Sequence, residues 1–342
     1  MRRARIPALF LILSLGLSLR PSSAASIAPP PGRNGRVPVK VGVYVTDLVG
    51  VDEVGETFRV RGYLYEQWKD SRLKYAPRGA KDTDRLCDPE KIWTPNIVMA
   101  NAVNGLFKLG TNIRRHPDGT VVFWEDFEDD LTMQMTFHRF PFDEQVLPVV
   151  LQPFLDERDA VALVPDAGQT GINSQPWALL AQWKMLGMRA VPAESVLGGK
   201  GGSIPEIDFN MVIKRRYGYY IWKVFLPLFI MVIVSYCALW IKETDTAAQF
   251  SVALSAALTM IAFLFVISGS LPHLPYLTYI DAFFLIGFVF SAVTIVEIVI
   301  VHRVADGRSA KAAARIRSFS RALYPAAYLL CNAAAAWAFF GR

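Results

Sequence analysis

The sequence predicts a two-domain membrane protein, an all-β, immunoglobulin-like sandwich outside the membrane followed by a four-helix transmembrane bundle. Three observations carry this. Short apolar stretches of period two, separated by turn residues, fill positions 39–214. Long apolar runs follow at 224–241, 247–271, 279–301 and 322–341. Charge divides the same way. Residues 37–214 hold 25 acidic against 19 basic side chains, while the positive excess sits at the N-terminus, around Arg215 and between Arg303 and Arg321. The whole-chain charge of +6 therefore describes no single surface. No basic stripe carries interleaved aromatics, which excludes a nucleic-acid partner.

The chain opens with Arg2, Arg3 and Arg5, an apolar run over 6–19, and the small residues Ser22, Ser23, Ala24 and Ala25. This order reads as a signal peptide over 1–24, with an uncleaved anchor helix as the alternative. A Pro/Gly-rich linker fills 25–38. Lys40-Val41-Gly42-Val43-Tyr44-Val45, Leu131-Thr132-Met133-Gln134-Met135-Thr136-Phe137 and Asp208-Phe209-Asn210-Met211-Val212-Ile213 alternate as strands with one buried face do. Pro117-Asp118-Gly119 supplies a hairpin-type turn, and 197–203 is a Gly-rich loop. Export permits disulfides, yet Cys87, Cys237 and Cys331 offer neither a framework nor a CxxC metal spacing. No metal site and no cofactor are expected.

Transmembrane helices are expected at about 219–241, 246–269, 279–302 and 316–341. Residues 39–215 then form the outer domain and 216–342 the membrane domain. The stretch from His302 to Arg321 holds six basic residues against one acid, Asp306, and is assigned to the cytoplasm. The uncharged loop at 270–276 faces the β domain. With four spans, both the N-terminal domain and the C-terminus lie on the extracytoplasmic side, in agreement with the signal peptide.

The second span is unusual for a lipid-facing helix. Ser251, Ser255, Leu258, Ala262, Phe265 and Gly269 recur at spacings of four and three, which is one helical face. Its cytoplasmic half is small and hydroxylic, its outer half apolar and bulky. Hydroxyls are unfavourable against lipid, so this face meets protein or water. One reading is packing inside a bundle. The other is a pore wall, in which hydroxyl rings replace ion hydration and apolar rings close by dewetting. A pore needs several copies, and a closed ring with heterologous interfaces provides them.

Several segments resemble one known family. Val51-Asp52-Glu53, Tyr63-Leu64 and Trp68-Lys69-Asp70-Ser71-Arg72-Leu73 resemble the start of a Cys-loop receptor binding domain. Trp93-Thr94-Pro95-Asn96 is similar to its next segment, and Phe140-Pro141-Phe142-Asp143-Glu144-Gln145 to its signature loop. Arg215, twelve residues before Pro227, resembles the junction into the first transmembrane helix. Leu271-Pro272-His273-Leu274-Pro275-Tyr276 resembles the linker after the pore helix, closest to prokaryotic members. The resemblance covers position 39 to the C-terminus. It implies a homopentamer in a bacterial plasma (inner) membrane, gated by a small-molecule or proton agonist and conducting ions through a pore lined by Ser251, Ser255, Leu258, Ala262 and Phe265.

Departures from the family are informative. Met133 and Leu147 stand where its loop cysteines would fall, so the loop disulfide is absent. Of the aromatic box that holds agonists, Tyr63 and Phe154 retain two walls, while Ala100, Ile204 and Val196 stand at other box positions. Trp93 reads as a core residue. The resemblance assigns coupling between domains to Asp52, Asp143, Arg215, Pro272 and Pro275, with Asp143 and Arg215 meeting at the junction. The family's cytoplasmic glutamate ring maps onto Ala247, Ala248 and Gln249, with Glu243 and Asp245 just beyond. No basic residue sits at this mouth, so cations are favoured over anions. An enzyme would have to use His116 and His138, which follow no triad or metal spacing. A non-conducting membrane-bound ligand receptor is the remaining alternative, opposed by the Ser251 and Ser255 hydroxyls.

Overall fold

The computed structural model describes residues 28–32, 35–105, 108–154, 158–173, 181–196, 203–242, 244–269, 274–307 and 309–341. The signal-peptide segment, most of the loop at 197–203, Glu243 and Pro272 lie outside the described residues.

The N-terminal part is a β-sandwich. Strands β1 (Val37–Asp52), β2 (Thr57–Lys69), β3 (Arg85–Leu86), β5 (Lys108–Arg115), β6 (Thr120–Thr132), β8 (Val161–Pro165) and β9 (Gly171–Ile172) make one sheet, in the order β3-β5-β6-β2-β1-β8 with β9 beside β1. Strands β4 (Ile97–Met99), β7 (Glu144–Pro153), β10 (Trp183–Val196) and β11 (Ser203–Arg215) make the other, in the order β10-β11-β7-β4. Alternation drives this arrangement. Val37, Val39, Val41, Val43 and Val45 of β1 point inward and are buried. Leu147, Val149 and Leu151 of β7 and Phe209, Met211 and Ile213 of β11 close the core from the second sheet. Each such side chain contributes about 1.5–3 kcal/mol when fully buried. Trp93 is a core residue, edge-on to Trp68 with ring centroids 5.9 Å apart.

The stretch expected as a strand over 131–137 behaves differently. The ladder of β6 ends at Thr132, although Met133, Met135 and Phe137 remain buried. Beyond it the Gln145 side chain replaces a strand neighbour. Its oxygen accepts from the Thr136 amide at 3.1 Å and its nitrogen donates to the Thr136 carbonyl at 2.8 Å.

Strand β11 runs almost directly into the first of four helices long and apolar enough to cross a membrane. These are α1 (Gly218–Trp240), α2 (Thr246–Ser268), α3 (Tyr279–Gly307) and α4 (Ala310–Phe340). Helix α1 contains a π turn at Ile221–Phe225. Helix α4 starts at Ala310 rather than 316, where the Ser309 hydroxyl caps it by accepting from the Lys311 amide at 3.2 Å. Arg315, Arg317 and Arg321 therefore ride on a helix and not in a loop. The two acids that interrupt the third apolar run also have structural roles. Asp281 accepts from the Thr278 hydroxyl at 2.6 Å while its own amide donates back to that oxygen, a reciprocal helix cap. Glu297 faces Arg317 at 3.7 Å.

Candidate functional site

On α2 the sequence-derived stripe is the exposed face. Ser251, Ser255, Ala262, Leu258 (57 %) and Phe265 (74 %) are open, whereas Ala253, Ala256, Ala257, Met260 and Ile267 are buried against the chain's other helices. The division follows from residue type, since alanines allow close approach of neighbouring helices while the hydroxyls and bulky side chains lie opposite. The Asp245 carboxylate caps the cytoplasmic end, accepting from the Ala248 amide at 3.1 Å. Of the three positions matched to a glutamate ring, Ala247 is exposed and Ala248 half-buried, while Gln249 is buried and turned away from the stripe. The Gln249 amide donates to the carbonyls of Ile241 (2.9 Å) and Lys242 (3.0 Å). Gln249 therefore cannot serve as an exposed mouth side chain.

At the junction of the two domains, Arg215 ends β11 inside a buried cage. Its Nε and a terminal nitrogen donate to the two Asp143 oxygens at 2.8 and 3.1 Å, and its other terminal nitrogen donates to Glu53 at 2.6 Å. The rings of Trp183 and Phe140 cover the guanidinium at 4.3 and 4.7 Å. Burial by itself would lower the Arg215 pKa. The hydrogen bonds and charges of Asp143 and Glu53 outweigh it, and the group is held above the ordinary arginine value. The Asp52 carboxylate accepts from the amides of Val54 and Gly55, both at 3.0 Å, and caps its own turn. Glu53, its neighbour, is the partner of Arg215.

The linker after α2 also reaches the sandwich. Pro275 is exposed, and Tyr276 makes the bridge. Its ring stacks on His138 at 4.0 Å and its hydroxyl accepts from the Phe137 amide at 3.1 Å. The Tyr279 amide donates to the His138 carbonyl at 3.0 Å. Phe142 packs against Tyr217, Tyr279 and Phe340, and Arg139 donates to the Phe339 carbonyl at 3.0 Å. None of these contacts has a periodic signal in the sequence.

Tyr63 and Phe154 are both exposed, Tyr63 in the first sheet and Phe154 just past the end of a strand of the second. Tyr63 lies in β2 between Tyr44 of β1 and Asp126 of β6. Phe154 follows β7, its amide donating to the Asn96 carbonyl at 2.9 Å. Of the other box positions, Ile204 is buried, and Ala100 and Val196 are exposed without an aromatic ring. Among the described residues no group of three or more His, Cys, Asp or Glu side chains could hold a metal.

A sandwich whose last strand enters four apolar helices, joined by a caged arginine, is the architecture of a ligand-gated channel subunit. The neurotransmitter-gated ion-channel ligand binding domain matches residues 24–217, and the neurotransmitter-gated ion-channel transmembrane region matches residues 224–334. The chain is 30 % identical over 315 residues to the proton-gated ion channel of Gloeobacter violaceus, covering 92 % of this chain and 86 % of that one. The chain belongs to the neurotransmitter-gated ion-channel family. It is a membrane-embedded protein, with four transmembrane helices behind an extracellular ligand-binding domain.

Proposed function

We propose that the chain forms a homopentameric, cation-conducting channel in which α2 lines the pore. The observation that carries this is the exposed stripe from Ser251 to Phe265, with hydroxyls at the cytoplasmic half and bulky apolar side chains outside it. In a ring of identical copies the serines substitute for ion hydration, and the Leu258 and Phe265 rings form constrictions that dewet when narrow. Residues 39–215 act as the binding domain and 216–342 as the membrane domain. The agonist is a proton or a small molecule held between neighbouring subunits, with Tyr63 on one surface and Phe154 on the other. Their placement at separate sheets of one chain favours a site shared by two copies. Agonist binds one arrangement of the sandwiches better and shifts a two-state equilibrium. Asp143, Arg215 and the linker at 272–275 transmit that shift to α2. Cations are favoured because the positions matched to the mouth, Ala247, Ala248 and Gln249, carry no basic side chain and Asp245 lies just before them.

Currents from purified protein in planar bilayers test the proposal, under pH steps and a panel of amines and small metabolites. The proton comes first in that panel, because the Gloeobacter relative is proton-gated. The expected result is an agonist-dependent current whose reversal potential follows sodium. A reversal potential that follows chloride overturns the selectivity, and a silent protein overturns conduction itself. Alanine at Tyr63 and at Phe154 should raise the agonist concentration for half-activation. An unchanged dose-response removes them from the site.

A further inference from the structure

We propose that Arg317 of α4 is a positioning residue for the pore: it fixes the rotation of α2 at its cytoplasmic end and so sets which side chains face the permeating ion. This rests on the reading of α2 as the pore wall. Arg317 is fully buried, a state arginine almost never adopts unless its charge is paired. One terminal nitrogen donates to the Ile241 carbonyl at 3.4 Å. The other donates to the Gln249 side-chain oxygen at 3.3 Å and lies 3.7 Å from a Glu297 carboxylate oxygen of α3. Gln249 spends its own amide protons on the carbonyls of Ile241 and Lys242. A single guanidinium from the outermost helix thus ties together the end of α1, the base of α2 and α3.

The consequence is geometric. With 3.6 residues per turn, Ser251 lies about 200° around the helix from Gln249. Holding Gln249 in the bundle interior therefore holds Ser251 on the opposite, open face. Packing there rests on Phe250 and Val252, half-buried at the flanks of the helix. The buried face above Gln249 is Ala253, Ala256 and Ala257, whose methyl groups interlock weakly and oppose rotation less than large side chains would. Arg321 steadies the same end of α4, donating twice to the Leu239 carbonyl at 3.0 and 2.7 Å and lying over the Trp240 ring. A buried polar network is a weak source of net stability, and its best-attested use is fixing register.

The test is cysteine accessibility in open channels, in full-length protein with Cys87, Cys237 and Cys331 replaced by serine or alanine. Single cysteines are placed at Phe250, Ser251 and Val252, and modification by a small charged thiol reagent is followed as loss of current. In the parent, Ser251→Cys should react at least about tenfold faster than the other two, as a pore-facing position must. In Arg317→Met that preference should collapse to within about twofold, with a changed single-channel conductance. Arg317→Lys keeps the charge without the planar fork and should fall between. Should Arg317→Met not assemble, the lysine variant carries the same comparison. A preserved preference and conductance, with only a lower unfolding temperature, would show that Arg317 merely packs and would overturn the proposal. If Ser251→Cys is inert in the parent, the pore reading itself falls and takes this inference with it.

Discussion

Glu53→Gln, Asp143→Asn and Arg215→Gln should destabilise the protein by graded amounts that the junction geometry sets. Arg215 makes two bonds to Asp143 and one to Glu53, and the side-chain exposures are 1 %, 2 % and 14 %. Glu53→Gln removes one charge-assisted bond at the cage's open side and leaves a bidentate, neutral pair behind. Its cost is about 1–2 kcal/mol. Asp143→Asn breaks the fully desolvated pair and should cost about 3–5 kcal/mol. Arg215→Gln leaves two carboxylates facing each other and belongs at or above the top of that range. At about 2–4 °C per kcal/mol for a domain of this size, the first variant loses roughly 4 °C and the second roughly 10 °C. Trp183, whose ring lies 4.3 Å from the guanidinium, provides a local fluorescence signal for thermal unfolding. The double variant Asp143→Asn/Arg215→Gln should lose about 2 kcal/mol less than the sum of its parts, since both singles break the same bonds. Equal losses for Glu53→Gln and Asp143→Asn, or strict additivity in the double variant, would refute the reasoning.

Leu258→Ser should lower the agonist concentration for half-activation, because a hydroxyl keeps the narrow ring wet; an unchanged or raised requirement in dose-response recordings counts against the gate. Tyr276→Phe keeps the stack on His138 but loses the bond from the Phe137 amide, worth about 1 kcal/mol, so its opening equilibrium should shift less than that of Tyr276→Ala. Identical responses from the two would remove the hydroxyl from the coupling. Burial pushes the Asp208 carboxyl above its ordinary 3.8, so its ionisation opposes folding once pH rises past 3.8 and through the raised value. Asp208→Asn should therefore be more stable than the parent at pH 7, with the difference closing as pH falls below the ordinary carboxylate range. A pH-independent difference in melting temperature contradicts this.

The parts of the fold that solvent dictates were legible in the sequence. Lipid demands long uncharged helices, and a half-buried sheet demands alternation, so spans and strands appear as periodic patterns. The α2 stripe was visible for the same reason, since small, hydroxylic and bulky residues recur at one helical spacing. Of the junction contacts, the Asp143–Arg215 pair was expected from the family resemblance and is present, whereas the others left no signal. Asp52 and Glu53 are adjacent acids at the end of a strand, where the pleat no longer says which of them points inward. His138 and Tyr276 lie far apart in sequence and meet only through the fold. Arg317 counted as one more cytoplasmic charge. Yet Ala313, Arg317, Tyr324 and Tyr328 recur at helical spacing and are the buried face of α4. That pattern is present in the sequence, but the density of charge in the tract obscures it.

The placement of the signature loop bears on how the proposed mechanism must work. Within residues 137–145 the loop reaches Tyr220 and Phe225 in α1 through Phe140 and Phe142, Tyr279 at the start of α3 through Phe142 and His138, and Phe339 and Phe340 at the end of α4 through Arg139 and Phe142. These contacts tie three of the four helices to the sandwich. Among the described residues they include none with α2 itself, and the nearest is with Tyr276 in the linker that leads out of it. A sandwich that turned against the membrane would carry the outer ends of α1, α3 and α4 with it. Helix α2 would feel the motion through Tyr276 and through its packing against α1 and α3. At its other end it is held by Asp245, by Gln249 and by Arg317 from α4. A helix driven at its outer end and clamped at its cytoplasmic end tilts about the clamp. In the proposed channel its displacement is then largest at Phe265, smaller at Leu258 and least at Ser251.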